Sequence, residues 1–170
     1  ILAKGLEVSV ARISAAPAGL DPAAGDDEEL VFDGPGARAT EALKRYEEAI
    51  AAEGTSSIGL VASLGKARAH LDLGEHEEAA ALYSAFLDSA GEELEMLVPN
   101  AVEGLVYAYE GQGKVAEAAP KLEAIAGDEA PSSARMASYH LARIARAGGD
   151  DDKAAGLLRG VLDSYEEEGD

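Results

Sequence analysis

Between residues 37 and 167 the apolar positions recur at helical spacing, and no stretch alternates apolar with polar as a half-buried strand would. The plainest segment is Gly74-Glu75-His76-Glu77-Glu78-Ala79-Ala80-Ala81-Leu82-Tyr83, continued by Phe86 and Leu87. Gly113-Lys114-Val115-Ala116-Glu117-Ala118-Ala119 repeats it, with Leu122 and Ile125 following. A third copy is Gly149-Asp150-Asp151-Asp152-Lys153-Ala154-Ala155, with Leu158, Val161 and Leu162. A fourth, without the aligned glycine, is Thr40-Glu41-Ala42-Leu43, with Tyr46, Ala49 and Ile50. The aligned alanines Ala42, Ala79, Ala118 and Ala154 stand 37, 39 and 36 residues apart. A period of that size belongs to solenoids built from helix pairs.

Each copy has a physical reading. The glycine stands where one helix ends and the chain turns in a left-handed conformation. Acidic residues open the next helix, at its positive end. The alanine lets two helices approach closely, and residues four and seven further on extend one apolar face. A second helical stretch precedes each of the last three glycines, over 58–73, 99–112 and 132–147, with Ala67, Val106 and Ala142 in register. The unit is therefore helix, tight turn, helix. The chain is expected to be all-α, an α-solenoid of three to three and a half antiparallel pairs. Pro120 falls inside the second helix of one unit, so that helix either begins late or kinks.

The chain before this array differs, and a boundary is placed between 1–36 and 37–170. Residues 1–15 carry Leu2, Leu6, Val10 and Ile13 at a spacing that suits a helix. Residues 16–36 hold Pro17, Pro22, Pro35, four glycines and the run Asp26-Asp27-Glu28-Glu29, which reads as loop. Within it Leu30, Val31 and Phe32 form an apolar island expected to dock onto the helices.

Composition sharpens this picture. The chain has 170 residues, 47% of them hydrophobic, with no Trp and two Phe, which suits helices packed through small side chains. Its 14 Lys and Arg stand against 33 acids, a net charge of −19, which opposes nucleic acid and anionic lipid as partners. Cysteine is absent, so neither disulfides nor thiolate metal sites are available.

Candidate chemistry is sparse. Of the three histidines, His70 aligns with Tyr109 and reads as a packing residue, while His76 reads as a solvated turn residue. No Gly-x-Ser-x-Gly element accompanies them. His70 and His76 lie six apart rather than at the i, i+4 spacing of a helical zinc site. Asp150-Asp151-Asp152 lacks the ligand spacing of a calcium loop, and Gly34-Pro35-Gly36 lacks the completion of a phosphate cradle. The expectation is a non-enzymatic protein with no cofactor, no metal site and no small-molecule substrate.

The order glycine, acidic pair, alanine, then Tyr or Leu four on, resembles the tetratricopeptide repeat. The match is closer in the second helix of each unit than in the first. There the family's large aromatic near the helix start is replaced by Ser63, Val102 and Ser138. More narrowly, Arg38–Leu43, Gly65–Gly74 and Tyr139–Arg143 are similar to the YfgM-like group of bacterial proteins. Those carry one N-terminal membrane helix and a soluble repeat domain outside the cytoplasm.

The resemblance implies a right-handed superhelix whose first helices line a concave groove binding a partner protein or peptide. It also implies an accessory role in handling secreted proteins in the bacterial envelope, behind an anchor preceding Ile1, with a cytoplasmic location as the alternative. The groove positions it picks out are Leu64, Arg68, Glu103, Tyr107, Glu110, Tyr139, Arg143 and Arg146. Tyrosine with nearby arginine is enriched at binding hot spots. Packing of Tyr107 or Tyr139 between repeats is the competing reading, and a homodimerising scaffold is the competing function.

Overall fold

The computed structural model describes residues 12–13, 31–127 and 131–168. It contains a two-residue parallel pair, β1 (Arg12–Ile13) with β2 (Val31–Phe32), followed by seven α-helices. These are α1 (Pro35–Glu53), α2 (Ser57–Asp72), α3 (His76–Ser89), α4 (Val98–Gly111), α5 (Ala119–Ala126), α6 (Pro131–Ala147) and α7 (Asp151–Glu168). Short 3₁₀ turns at Glu92–Leu97 and Val115–Ala118 precede α4 and α5. The fold is all-α apart from the strand pair, and no described helix is long and apolar enough to cross a membrane. By internal contacts the chain divides into two compact units, Ile1–Leu82 and Tyr83–Asp170.

The turns repeat as closely as the sequence. Gly74, Gly113 and Gly149 all have positive φ, at 76°, 70° and 84°. The residue after each donates its N–H to the carbonyl five back: Glu75 to His70, Lys114 to Tyr109 and Asp150 to Ala145, at 2.8–2.9 Å. Each glycine itself donates three back, to Leu71, Glu110 and Arg146. This is the Schellman closure, which satisfies carbonyls that a helix end leaves orphaned. Acidic residues then occupy the first turns of α3 and α7, and Asp150 Oδ1 caps the Lys153 N–H at 3.0 Å.

In the first unit, Ala42, Tyr46 and Ala49 of α1 cluster with Ala62 and Ala69 of α2. Phe32, one residue of the apolar island, packs against this cluster, and Leu30 lies outside the described residues. The helix expected over residues 1–15 is not formed at Arg12–Ile13, where the chain is extended against Val31–Phe32. Ile, Val and Phe favour the pleated conformation once a partner strand is at hand. The rest of residues 1–15, and residues 16–30, lie outside the described residues.

In the second unit the core joins Val102 and Val106 of α4 to Ala118, to Leu122 of α5, and to Ala137 and Leu141 of α6. The alternative at Pro120 resolves toward the late start. The α-helix begins at Ala119, after a 3₁₀ turn, so Pro120 lies in its first turn. There its missing N–H removes no intrahelical bond.

A second regularity concerns tyrosine and glycine. The residue four after the aligned alanine is Tyr46 in α1 and Tyr83 in α3. A Cβ added to Gly65 of α2 would fall within 2.8 Å of three ring atoms of Tyr46. One added to Gly104 of α4 would fall within 2.7 Å of three ring atoms of Tyr83. Each ring thus rests on a bare backbone patch of the next first-type helix. At the next junction the aligned residues are Leu122 and His140, both buried. There the ring is replaced by a smaller side chain and the glycine by a larger one.

Candidate functional site

Two rows of side chains at four-residue spacing meet in the second unit. Pro99, Glu103 and Tyr107 stand along α4, and Arg135, Tyr139 and Arg143 along α6. Residues four apart on a helix share a face, so each row forms a ridge. Between the ridges lies an open cavity of about 640 Å³, closed along one side by Val161 and Tyr165 of α7 and floored by Met136 and His140. A smaller space of about 100 Å³ adjoins it around Glu110, His140 and Arg143.

The polar groups in this region are tied to one another. Tyr107 donates its hydroxyl to Glu103 Oε1 at 2.9 Å, and that carboxylate holds the phenol pKa above its ordinary value. Arg143 donates to Glu110 Oε1 at 2.6 Å and to His140 Nδ1 at 3.0 Å. A guanidinium only donates, so His140 Nδ1 is the acceptor and its proton sits on Nε2. Burial is the main cause that lowers the His140 pKa, and the Arg143 charge adds to it, against weaker opposition from Glu103 and Glu110. The imidazole is therefore neutral and packed, in edge contact with Tyr139 at 5.3 Å. With its one lone pair engaged by Arg143, it is not poised as a base. Arg135 lies over the ring of Tyr165, 4.5 Å from the centroid.

Of the residues expected to line a groove, Glu103, Tyr107, Tyr139 and Arg143 come together at this cavity. Glu110 is joined to them through Arg143. Tyr107 and Tyr139 are 44% and 46% exposed, so neither is consumed by packing between helices. Arg146 is exposed and lies outside the cavity lining. Leu64 and Arg68 belong to the first unit, where Leu64 is half-buried and Arg68 pairs with Asp72 at 3.0 Å. His70 packs with little exposure and meets Glu75 at 2.6 Å. His76 opens α3 and is partly buried instead of solvated, since the turn closes tightly enough to enclose it.

Sequence reasoning missed Pro99, Arg135, Met136, Val161 and Tyr165. The four-residue continuation of each row toward the helix start was the available signal for Pro99 and Arg135. Val161 and Tyr165 come from the end of α7 and required the antiparallel turn to be placed. Among the described residues no group of three or more His, Asp or Glu could hold a metal.

Repeated helix hairpins with identical turn closures, and a cavity between successive first-type helices, define a helical-repeat protein. The family model of the tetratricopeptide repeat matches residues 37–93 and 104–168. The chain belongs to the tetratricopeptide repeat family, a protein-interaction fold. No curated protein and no solved structure matches it.

Proposed function

We propose that the second unit binds a partner protein or extended peptide, seating one of its side chains in the cavity between α4, α6 and α7. The observation that carries this reading is the pair of half-exposed rings, Tyr107 and Tyr139, with Arg135 and Arg143 beside them. Large rigid rings give contact area at low entropic cost, and guanidiniums add directed donors. The polar groups are already fixed by their mutual bonds, so little ordering is left to the bound state. The chain carries a charge of −19, and the two arginines make this region less acidic than its surroundings. An apolar or aromatic side chain flanked by neutral or basic residues fits best.

Peptides selected from a random displayed library test this. Their affinity for the wild type and for the Tyr107→Ala/Tyr139→Ala variant is compared by fluorescence anisotropy. Each truncation is expected to cost about 2 kcal/mol, or roughly 30-fold in Kd. Unchanged affinity in the double variant would overturn the reading.

The place of action is proposed on resemblance. Arg38–Leu43, Gly65–Gly74 and Tyr139–Arg143 support a bacterial-envelope accessory protein of the YfgM-like group, held by a segment preceding Ile1. Fractionation of cells expressing the whole gene checks it. Recovery with membranes, and protease sensitivity only after the outer layer is opened, is expected. Recovery in the soluble cytoplasmic fraction would contradict it.

A further inference from the structure

Helix α7 breaks a rule that the earlier repeats obey. Four residues after the aligned alanine, Tyr46, Tyr83 and Leu122 are 2%, 3% and 0% exposed. Gly65 and Gly104 show what covers the first two: a first-type helix of the next repeat. Their counterpart Leu158 is 41% exposed, and Leu162 and Tyr165 continue the face at 63% and 59%. What a repeat array lays over this position is a helix.

The face has the form of a helix-pairing seam. Ala155, Leu158, Leu162 and Tyr165 follow one another at intervals of three, four and three, the a and d spacing of a coiled coil. Tyr165 is held in place by Arg135 against its ring. Along the outer flank stand Arg159, Asp163 and Glu166, all exposed, and none forms an ion pair among the described residues. In an antiparallel pairing of two such helices centred between Leu158 and Tyr165, Arg159 of each comes opposite the Asp163–Glu166 turn of the other. The helix dipoles oppose one another in that arrangement.

From these observations we infer that α7 is a homodimer seam, its apolar stripe covered by α7 of a second copy in antiparallel orientation. Two heptads bury less than a standard interface, so the dimer is weak, in the micromolar range or above. Repulsion between two acidic chains opposes it and is screened by salt, so association tightens as salt rises. Tyr165 belongs both to this seam and to the cavity lining, whereas Leu158 and Leu162 do not line the cavity, so substitution at those two positions tests the seam apart from the peptide-binding reading.

Sedimentation velocity over a wide concentration range, at low and high salt, provides the test. The wild type is expected to shift from monomer to dimer as concentration rises. Leu162→Glu, a change at an exposed position, should weaken dimerisation at least about tenfold while peptide binding is retained. Arg159→Glu and Asp163→Arg/Glu166→Arg should each self-associate more weakly than wild type, because each places like charges across the seam. Mixed together, these two variants should form a heterodimer. A wild type that stays monomeric throughout would overturn the inference. So would a dimer unaffected by Leu162→Glu, or a charge-variant mixture that does not associate.

Discussion

The ring of Tyr83 occupies the space that a side chain on Gly104 would need, and Tyr46 stands in the same relation to Gly65. The glycine is there for close approach, since both lie within helices, where glycine is otherwise a liability. Gly104→Ala improves helix propensity by about 1 kcal/mol but forces a methyl into a filled site, which costs about 1–3 kcal/mol. The second effect wins. The variant is expected to unfold at lower urea than wild type, and Tyr83→Leu in the same chain should recover part of the loss. A Gly104→Ala protein as stable as wild type would contradict the packing described.

Much of the fold was legible because its determinants are local. The glycine that ends a helix, the acids that open the next and the alanine at the crossing all lie within ten residues of one another. Tyr46 and Gly65 are nineteen apart in sequence, and their pairing needed the hairpin to be placed first. The site was legible by halves for the same reason. Tyr107 and Tyr139 follow from helical register, whereas Tyr165 arrives from the far end of another helix. The strand pair at Arg12–Ile13 was hidden because extended pairing depends on a distant partner.

Pro120 supplies a second prediction. In the first turn of α5 it replaces no hydrogen bond, so Pro120→Ala should change stability by no more than about 0.5 kcal/mol. A proline kinking the middle of a helix would instead cost about 3 kcal/mol, which alanine would return. Urea denaturation of the two proteins separates these cases.

His140 gives the second unit a pH dependence. Its folded pKa lies below the unfolded value, so as pH falls the unfolded chain takes up the proton first. The stability it contributes is present in full above about pH 6.5 and declines as pH drops toward the folded value. The slope is at most about 1.4 kcal/mol per pH unit for one proton. His140→Gln keeps an acceptor for Arg143 and removes the titration. Between pH 7 and 5 the urea midpoint of the variant should fall less than that of wild type. Parallel declines would show that other groups govern acid unfolding.

The central claim is that the cavity between α4, α6 and α7 receives the partner. Amide chemical-shift mapping of the labelled protein, titrated with a library-selected peptide, tests it most directly. The largest shifts are expected on Asn100–Tyr107 of α4, Ser132–Arg143 of α6 and Tyr165 of α7. Largest shifts elsewhere, with those residues unmoved at saturation, would contradict it.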